Sequence, residues 1–237
     1  MEEKLSFRGT MEPFEDSLES LRQDYAQMRG VYAAAIREIN ARLETLNNEF
    51  SYRNRHNPIH HIESRVKSMP SIIKKLRTIG APISMSSAKK HLHDIAGVRV
   101  VCRYVDDIYR IADLLLAQDD ILLILEKNYI KNPKPNGYRS LHIVVDVPVY
   151  MSHGKLFTPV EIQIRTVAMD FWATLEHGIR YKATEEVPQK IVDELRECAD
   201  VITATDYKMQ EIFKVLQEVH DADDSYQEEI IPEFIQR

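Results

Sequence analysis

The segment VEIQIRT, positions 160–166, alternates without a break: Val160, Ile162 and Ile164 are apolar, while Glu161, Gln163 and Arg165 are polar. Successive side chains on a strand point to opposite faces. The segment therefore belongs in a sheet with one apolar face, which another layer must cover. Its other face carries an acid, an amide and a base about 6.5 Å apart from one to the next. An ordinary amphipathic strand with one wet face has the same pattern, so the neighbouring segments have to decide what the polar face is for.

Three further stretches read as strands: AGVRVVCRYV (96–105), ILLILEKNYI (121–130) and SLHIVVDVPVYM (140–151). The last turns at Ser152-His153-Gly154 into KLFTPVEIQIRT. Residues from about 14 to 50 carry an apolar stripe at helical spacing, including Leu18, Tyr25, Tyr32, Ile39 and Leu46. This predicts one long helix, or two meeting at Gly30. After a turn at Asn57-Pro58, the spacing of Ile62, Val66, Met69, Ile72 or Ile73, and Leu76 predicts a second helix. Pro70 kinks or restarts it, and Gly80-Ala81-Pro82 ends it. Ser86–His93 predicts a short helix, and Asp106 is placed to cap DDIYRIADLLLAQ. Thr166 opens a helix over TVAMDFWATLEHGIRYK, and Pro188 opens another to about 220, followed by a fraying acidic tail. The order predicts an α+β fold: a mixed sheet of four to five strands with long helices at both ends of the chain. The expected division is an N-terminal helical segment (1–52), a catalytic domain (53–185), and a C-terminal helix with acidic tail (186–237).

Charge is unevenly distributed. The chain carries −6 overall, yet Arg53–Arg103 holds eleven Lys or Arg against two acids, so the remainder is strongly acidic. A basic window in an acidic protein points to a local anion site rather than a general polyanion surface. Cys102 and Cys198 fit no metal or redox motif. No apolar run approaches the roughly 18 residues of a membrane span, and no secretory leader is recognisable. A cytoplasmic setting is expected.

Several residues suit chemistry on phosphates. Asp94 precedes the strand at 96, and with Glu161 it forms a carboxylate pair suited to Mg²⁺, which takes one or two carboxylates plus substrate phosphates. Lys67, Ser71 and Lys74 follow helical spacing, flanked by Arg65, Lys75 and Arg77. Arg99 lies on or near the strand after Asp94. The stretch KNPKPNGYRSLHIVV sets Lys134, Tyr138, Arg139, Ser140 and His142 around an Asn136-Gly137 turn, which is more than a plain connector needs. Phe171 and Trp172 read as core, and Glu176 and His177 face either the cleft or water. His56, His60, His61, His91 and His93 cluster without a recognised ligand spacing, which leaves a regulatory metal open.

SRVKSMPSI, HDIAGVRVV, PKPNGYRSLH and VEIQIRTVAMDFWATLEH occur in the order found in RelA/SpoT-type (p)ppGpp synthetases, and the chain resembles a small alarmone synthetase of that family over roughly 55–185. The wording is closer to the RelP, or YwaC-like, branch than to RelQ. The resemblance implies a nucleotidyltransferase-like sheet and transfer of the β,γ-pyrophosphate of ATP to the 3′-hydroxyl of GDP or GTP. It implies Asp94 as a Mg²⁺ ligand, with Glu161 as second ligand or base. Arg65 and Arg99 resemble the arginines that sandwich adenine, while Lys67 and Lys75 resemble ATP phosphate contacts, with Ser71 beside them. Tyr138 resembles the ring that stacks on guanine. Lys134, Arg139 and His142 match positions around the acceptor's phosphates or ribose, and Gln163 and Glu176 match residues lining that pocket. Asp170 stands where some relatives have Asn. A homotetramer is implied for a member of this size.

Two other classes compete with this reading. A non-catalytic module binding nucleotide or single-stranded RNA would use the basic window and Tyr138 without the carboxylates. A metal phosphohydrolase would be built on His93-Asp94, but there the aspartate runs straight into a strand.

Overall fold

A computed structural model describes residues 12–53, 56–152, 154–182 and 187–229. Eleven elements follow in the order α1 (Glu12–Arg53), β1 (Ile59–Val66), α2 (Met69–Thr78), α3 (Met85–His91), β2 (Ala96–Cys102), α4 (Val105–Leu116), β3 (Leu122–Asn128), β4 (Leu141–Met151), β5 (Gly154–Thr166), α5 (Val167–Lys182) and α6 (Gln189–Glu229). The strands form one mixed sheet in the order β1-β2-β5-β4-β3. β2 and β5 run parallel; the other neighbours are antiparallel. The α+β expectation with four to five strands is met, at five.

The alternation in β5 is realised as read. Val160, Ile162 and Ile164 are fully buried beside Val98, Val100, Ile143 and Val145. α1 covers this face, laying Met28, Tyr32, Ala35, Ile36, Ile39 and Leu43 against it. Each large aliphatic buried this way contributes about 1.5–3 kcal/mol. α1 is therefore part of the core rather than an appendage, and it runs unbroken through Gly30.

The expected helix across 59–76 is corrected: Ile59–Val66 is a strand, and the helix begins only at Met69. Ile62, Val66 and Met69 have helical spacing, but β1 is a sheet edge. An edge strand need not bury one clean face, and only Ile59 in it is fully buried. Pro70, in the first turn of α2, restarts the chain as a helix; Ile72 and Leu76 then reach the core. Asp106 does not cap α4. Tyr104 holds that position, its amide donating to the Asp107 carboxylate at 3.1 Å, while Asp106 pairs with Lys214. Thr166 caps α5 as expected, its hydroxyl accepting from the Met169 amide at 3.1 Å. Trp172 is buried, but Phe171 is exposed rather than core. α6 continues past the expected end to Glu229. The β4–β5 hairpin closes on the Met151–Gly154 pair; His153 of the expected turn lies outside the described residues, as do the last residues of the tail.

Candidate active site

The strand register lays the polar face out in two adjacent rows. One row runs Arg65, Gly97, Glu161, Val144 and Leu125; the other runs Glu63, Arg99, Gln163, His142 and Lys127. Five strands thus bring together residues up to a hundred positions apart in the chain. Two clefts open on this face. One, of about 220 Å³, is lined by Arg65, Lys67, Gly97 and Arg99. The other, of about 210 Å³, is lined by Lys75, His91, His93, Lys127 and His142. Asp94 and Glu161 line both. Gly97 lies beside Glu161 in the row, so any side chain there would occupy the first cleft.

Asp94 sits between α3 and β2. The Lys67 amide donates to the Ile95 carbonyl at 2.8 Å, which brings Lys67 alongside it. Lys67 Nζ and Lys75 Nζ both pair with Asp94 Oδ2, the latter at 2.7 Å. Oδ1 is buried without a hydrogen-bond partner. Burial works against ionisation here, but the two ammonium groups outweigh it and hold the carboxyl below its ordinary range. Glu161 is held down in the same way. Burial opposes its charge, and hydrogen bonds from His142 and Gln163 overcome it. Gln163 Nε2 donates to Oε2 at 2.9 Å, and His142 Nδ1 lies 3.4 Å from Oε1.

Beyond Glu161 lies the Asn136-Gly137 turn. Gly137 adopts φ +88°, and a Cβ there would stand 2.5 Å from that of Ala199 on α6. Glycine is therefore required twice over, by conformation and by contact. Tyr138 hydroxyl meets His142 Nε2 at 2.8 Å, and Lys134 Nζ lies 4.6 Å from the Tyr138 ring centroid. Glu176 accepts from Asn136 Nδ2 at 2.9 Å and so props the turn from behind. Asp170 bridges the two halves of the site, with Arg99 Nη1 at 3.5 Å and Arg165 Nη1 at 3.3 Å from one oxygen.

Most expected residues therefore converge: Arg65, Lys67, Lys75, Asp94, Arg99, His142, Glu161 and Gln163 line the two clefts. Tyr138 and Asp170 do not line them but contact His142 and Arg99, which do, and Lys134 lies over the Tyr138 ring. Three stand further off. Ser71 is exposed and bonds to Ser68 at 2.9 Å. Arg139 turns toward α6, 3.8 Å from Asp200. Glu176 supports rather than lines. Ser140 is buried, donating to the Ile164 carbonyl at 3.1 Å, so it offers no hydroxyl to the cleft. Lys74 points to solvent. Among residues at the site with no role assigned from sequence, Glu63 lines the first cleft and pairs with Arg99. Arg165 was visible on the polar face of β5; Lys127 becomes visible only once β3 is paired with β4. Among the histidines, His56 bonds to Asp107 at 2.9 Å and His60 meets His61 at 2.9 Å. Among the described residues no group of three or more His, Cys, Asp or Glu is disposed to hold a metal ion.

A family profile described as "Region found in RelA / SpoT proteins" matches residues 64–186. The chain belongs to the RelA/SpoT family. It is 42% identical over 199 residues to GTP pyrophosphokinase YwaC of Bacillus subtilis, spanning 84% of this chain and 95% of that protein. It is 36% identical over 191 residues to GTP pyrophosphokinase YjbM of the same organism, spanning 81% and 89%. The higher identity to YwaC agrees with the RelP-like reading. The fold matches the crystal structure of small alarmone synthetase 1 from Bacillus subtilis bound to its product pppGpp. The TM-score is 0.76 at 34% identity, over 81% of this chain and 98% of that one. The RelA/SpoT profile begins within β1 and ends after α5. It therefore spans both clefts and leaves α1 and α6 outside.

Proposed function

We propose that this chain is a GTP pyrophosphokinase of the small alarmone synthetase type, making ppGpp from GDP or pppGpp from GTP, with AMP as the second product. One observation carries the reading: Asp94 and Glu161 stand where two cation-lined clefts meet. A two-substrate phosphoryl transfer needs that arrangement, with carboxylates at the junction and positive charge on either side.

In this reading the first cleft takes ATP. Arg65 and Arg99 hold the adenine between guanidinium planes, and Lys67 and Lys75 move from Asp94 onto the phosphates. The 3′-oxygen of the guanine nucleotide attacks the β-phosphorus of ATP. The new bond is O3′–Pβ, and the bond from Pβ to the α,β-bridging oxygen breaks, releasing AMP. Glu161, ionised at neutral pH, accepts the 3′-hydroxyl proton. Tyr138 stacks on guanine, worth roughly 1–3 kcal/mol, with Lys134 and His142 beside the acceptor. The partnerless Oδ1 of Asp94 fits a divalent cation, with Glu161 completing the protein's share. Mg²⁺ so held would neutralise charge on the transferring phosphates.

We further propose a cytoplasmic homotetramer. Met209, Ile212, Leu216 and Val219 on α6 are exposed apolar residues at spacings of three and four, a seam suited to another helix. Among the described residues no helix is long and apolar enough to cross a membrane. Light scattering that shows a monomer at micromolar concentration would remove the assembly claim.

The activity test is product analysis. Purified protein with ATP, Mg²⁺ and either GDP or GTP should yield the 3′-pyrophosphorylated nucleotide and AMP in equal amounts. Glu161→Gln should abolish both products. Unchanged output from that variant would remove the assignment.

A further inference from the structure

Five side chains close a ring on the polar face. Arg165 Nη2 lies 2.6 Å from Gln163 Oε1 and 3.3 Å from the Tyr138 hydroxyl. Gln163 Nε2 reaches Glu161 Oε2 at 2.9 Å. Tyr138 hydroxyl meets His142 Nε2 at 2.8 Å, and His142 Nδ1 lies 3.4 Å from Glu161 Oε1. Two arms thus leave Arg165 and arrive at the two oxygens of Glu161.

The direction of each bond follows from counting donors. A guanidinium only donates. The Gln163 carbonyl must therefore face Arg165, which turns its NH₂ toward Glu161. The Tyr138 oxygen accepts from Arg165, and its own proton goes to His142 Nε2 because the acceptor-only carboxylate of Glu161 faces the other ring nitrogen. In the neutral imidazole the remaining proton then sits on Nδ1, facing Glu161. We propose that Arg165 is a positioning residue: a donor-only group at one end of the ring, it locks the Gln163 amide and the Tyr138 hydroxyl in the direction that the acceptor-only Glu161 requires at the other, so that Glu161 receives one donor on each oxygen. The proposal rests on the reading of Glu161 as the reacting carboxylate.

A purely structural role fits Arg165 poorly. It is 3% exposed, its Nε has no partner, and the carboxylate it pairs with, Asp170, is shared with Arg99. A buried guanidinium so incompletely paired is expensive to keep for packing alone. Two neutral acceptors and half a carboxylate are poor counter-ions. They are, however, the partners needed to orient an amide and a phenol.

The test combines kinetics with ¹⁵N NMR of the His142 ring at about pH 9, above the ordinary imidazole range. The wild type should show the Nδ1–H tautomer. Arg165→Met should lower kcat by about 30-fold while the KM for ATP stays within about threefold, and the tautomer should become mixed. Arg165→Lys, another pure donor, should restore most of kcat and the single tautomer. Tyr138→Phe keeps the ring face but cuts one arm; it should mix the tautomer and lower kcat about tenfold. If Arg165→Met does not fold, Arg165→Gln takes its place in the same measurements, with Tyr138→Phe reporting on the second arm. A folded Arg165→Met with wild-type kcat would overturn the proposal, as would an unchanged tautomer in Tyr138→Phe. If Glu161→Gln is inactive in the same series, only the ring is lost. If Glu161→Gln is active, the functional reading goes with it.

Discussion

The two halves of the cleft are built differently. The side proposed for ATP is written into the sheet: Arg65, Gly97, Arg99 and Glu161 are neighbours by strand register, and Lys67 and Lys75 close over Asp94 from just beyond β1 and from α2. The acceptor side hangs from a turn, and the turn leans on α6. Gly137 abuts Ala199, Arg139 faces Asp200, and Trp172 Nε1 donates to the Leu195 carbonyl at 2.9 Å. α6 lies outside the residues that the RelA/SpoT profile matches. On the proposed function, then, the chemistry belongs to the sheet, while acceptor positioning is delegated to a flanking helix. A disturbance on α6 should reach the guanine nucleotide and spare ATP.

The largest expected effect ignores the division, because Asp94 belongs to both sides. Asp94→Asn removes the charge that two lysines and the proposed cation share. It should lower kcat by about 10³-fold with either acceptor. A loss confined to the KM of one substrate would show that Asp94 serves only one half. Next come paired substitutions that should separate the halves. Lys67→Met deletes one charge-assisted phosphate contact in the first cleft, worth about 1.5–3 kcal/mol. It should raise the KM for ATP about 10- to 100-fold and leave the acceptor KM alone. Gly137→Ala should do the reverse. Its side chain collides with Ala199, and the left-handed backbone disfavours a Cβ by about 1–2 kcal/mol. The acceptor KM should rise about tenfold with ATP unaffected. Gly137→Ala with Ala199→Gly removes the collision but not the strain, so part of the loss should return. If both substrates' KM values rise together in either variant, the halves are not independent.

What could be read beforehand follows the same division. β5 declares itself by alternation, β2 as a short β-branched run, and α5 by the threonine that opens it. β1 does not, because an edge strand needs no regular burial and its apolar residues happen to fall at helical spacing. The meeting of Lys67 with Asp94 was foreseeable only as a family likeness. Its physical cause is the antiparallel return of β1 alongside β2, a pairing invisible to local pattern. Arg139 shows the limit on the acceptor side. It stands next to Tyr138 in a basic turn and reads as a phosphate ligand, yet the turn directs it at Asp200. Which way a turn residue faces depends on what the turn packs against, and here that is α6, more than fifty residues downstream. Ser71 was read as helical with Lys67, but the chain becomes a helix only at Met69, so the two do not share a face.

The smallest expected effect concerns the joint that fastens α6 to the sheet. Thr166, at the end of β5, donates to Asp206 of α6 at 2.6 Å, and both residues are buried. Burial raises the Asp206 pKa, and the hydrogen bond from Thr166 only partly offsets that. A carboxyl whose pKa is higher folded than unfolded favours folding below the unfolded value. That contribution is lost as pH rises through the folded value, because the native state then carries a disfavoured charge. Asp206→Asn keeps an acceptor for Thr166 and cannot ionise. It should match or exceed the wild-type Tm at pH 7–8 by up to about 4 °C, and the difference should shrink as pH falls through the raised native value, reaching its limit only below the ordinary aspartate range, where both side chains are neutral. Asp206→Leu removes the acceptor as well. It should raise the acceptor KM by about two- to threefold, with ATP unchanged, as a loosened α6 lets the turn drift. A Tm advantage for Asp206→Asn that grows toward low pH would reverse the sign of this account. An ATP-specific defect in Asp206→Leu would mean that α6 supports the sheet side rather than the turn.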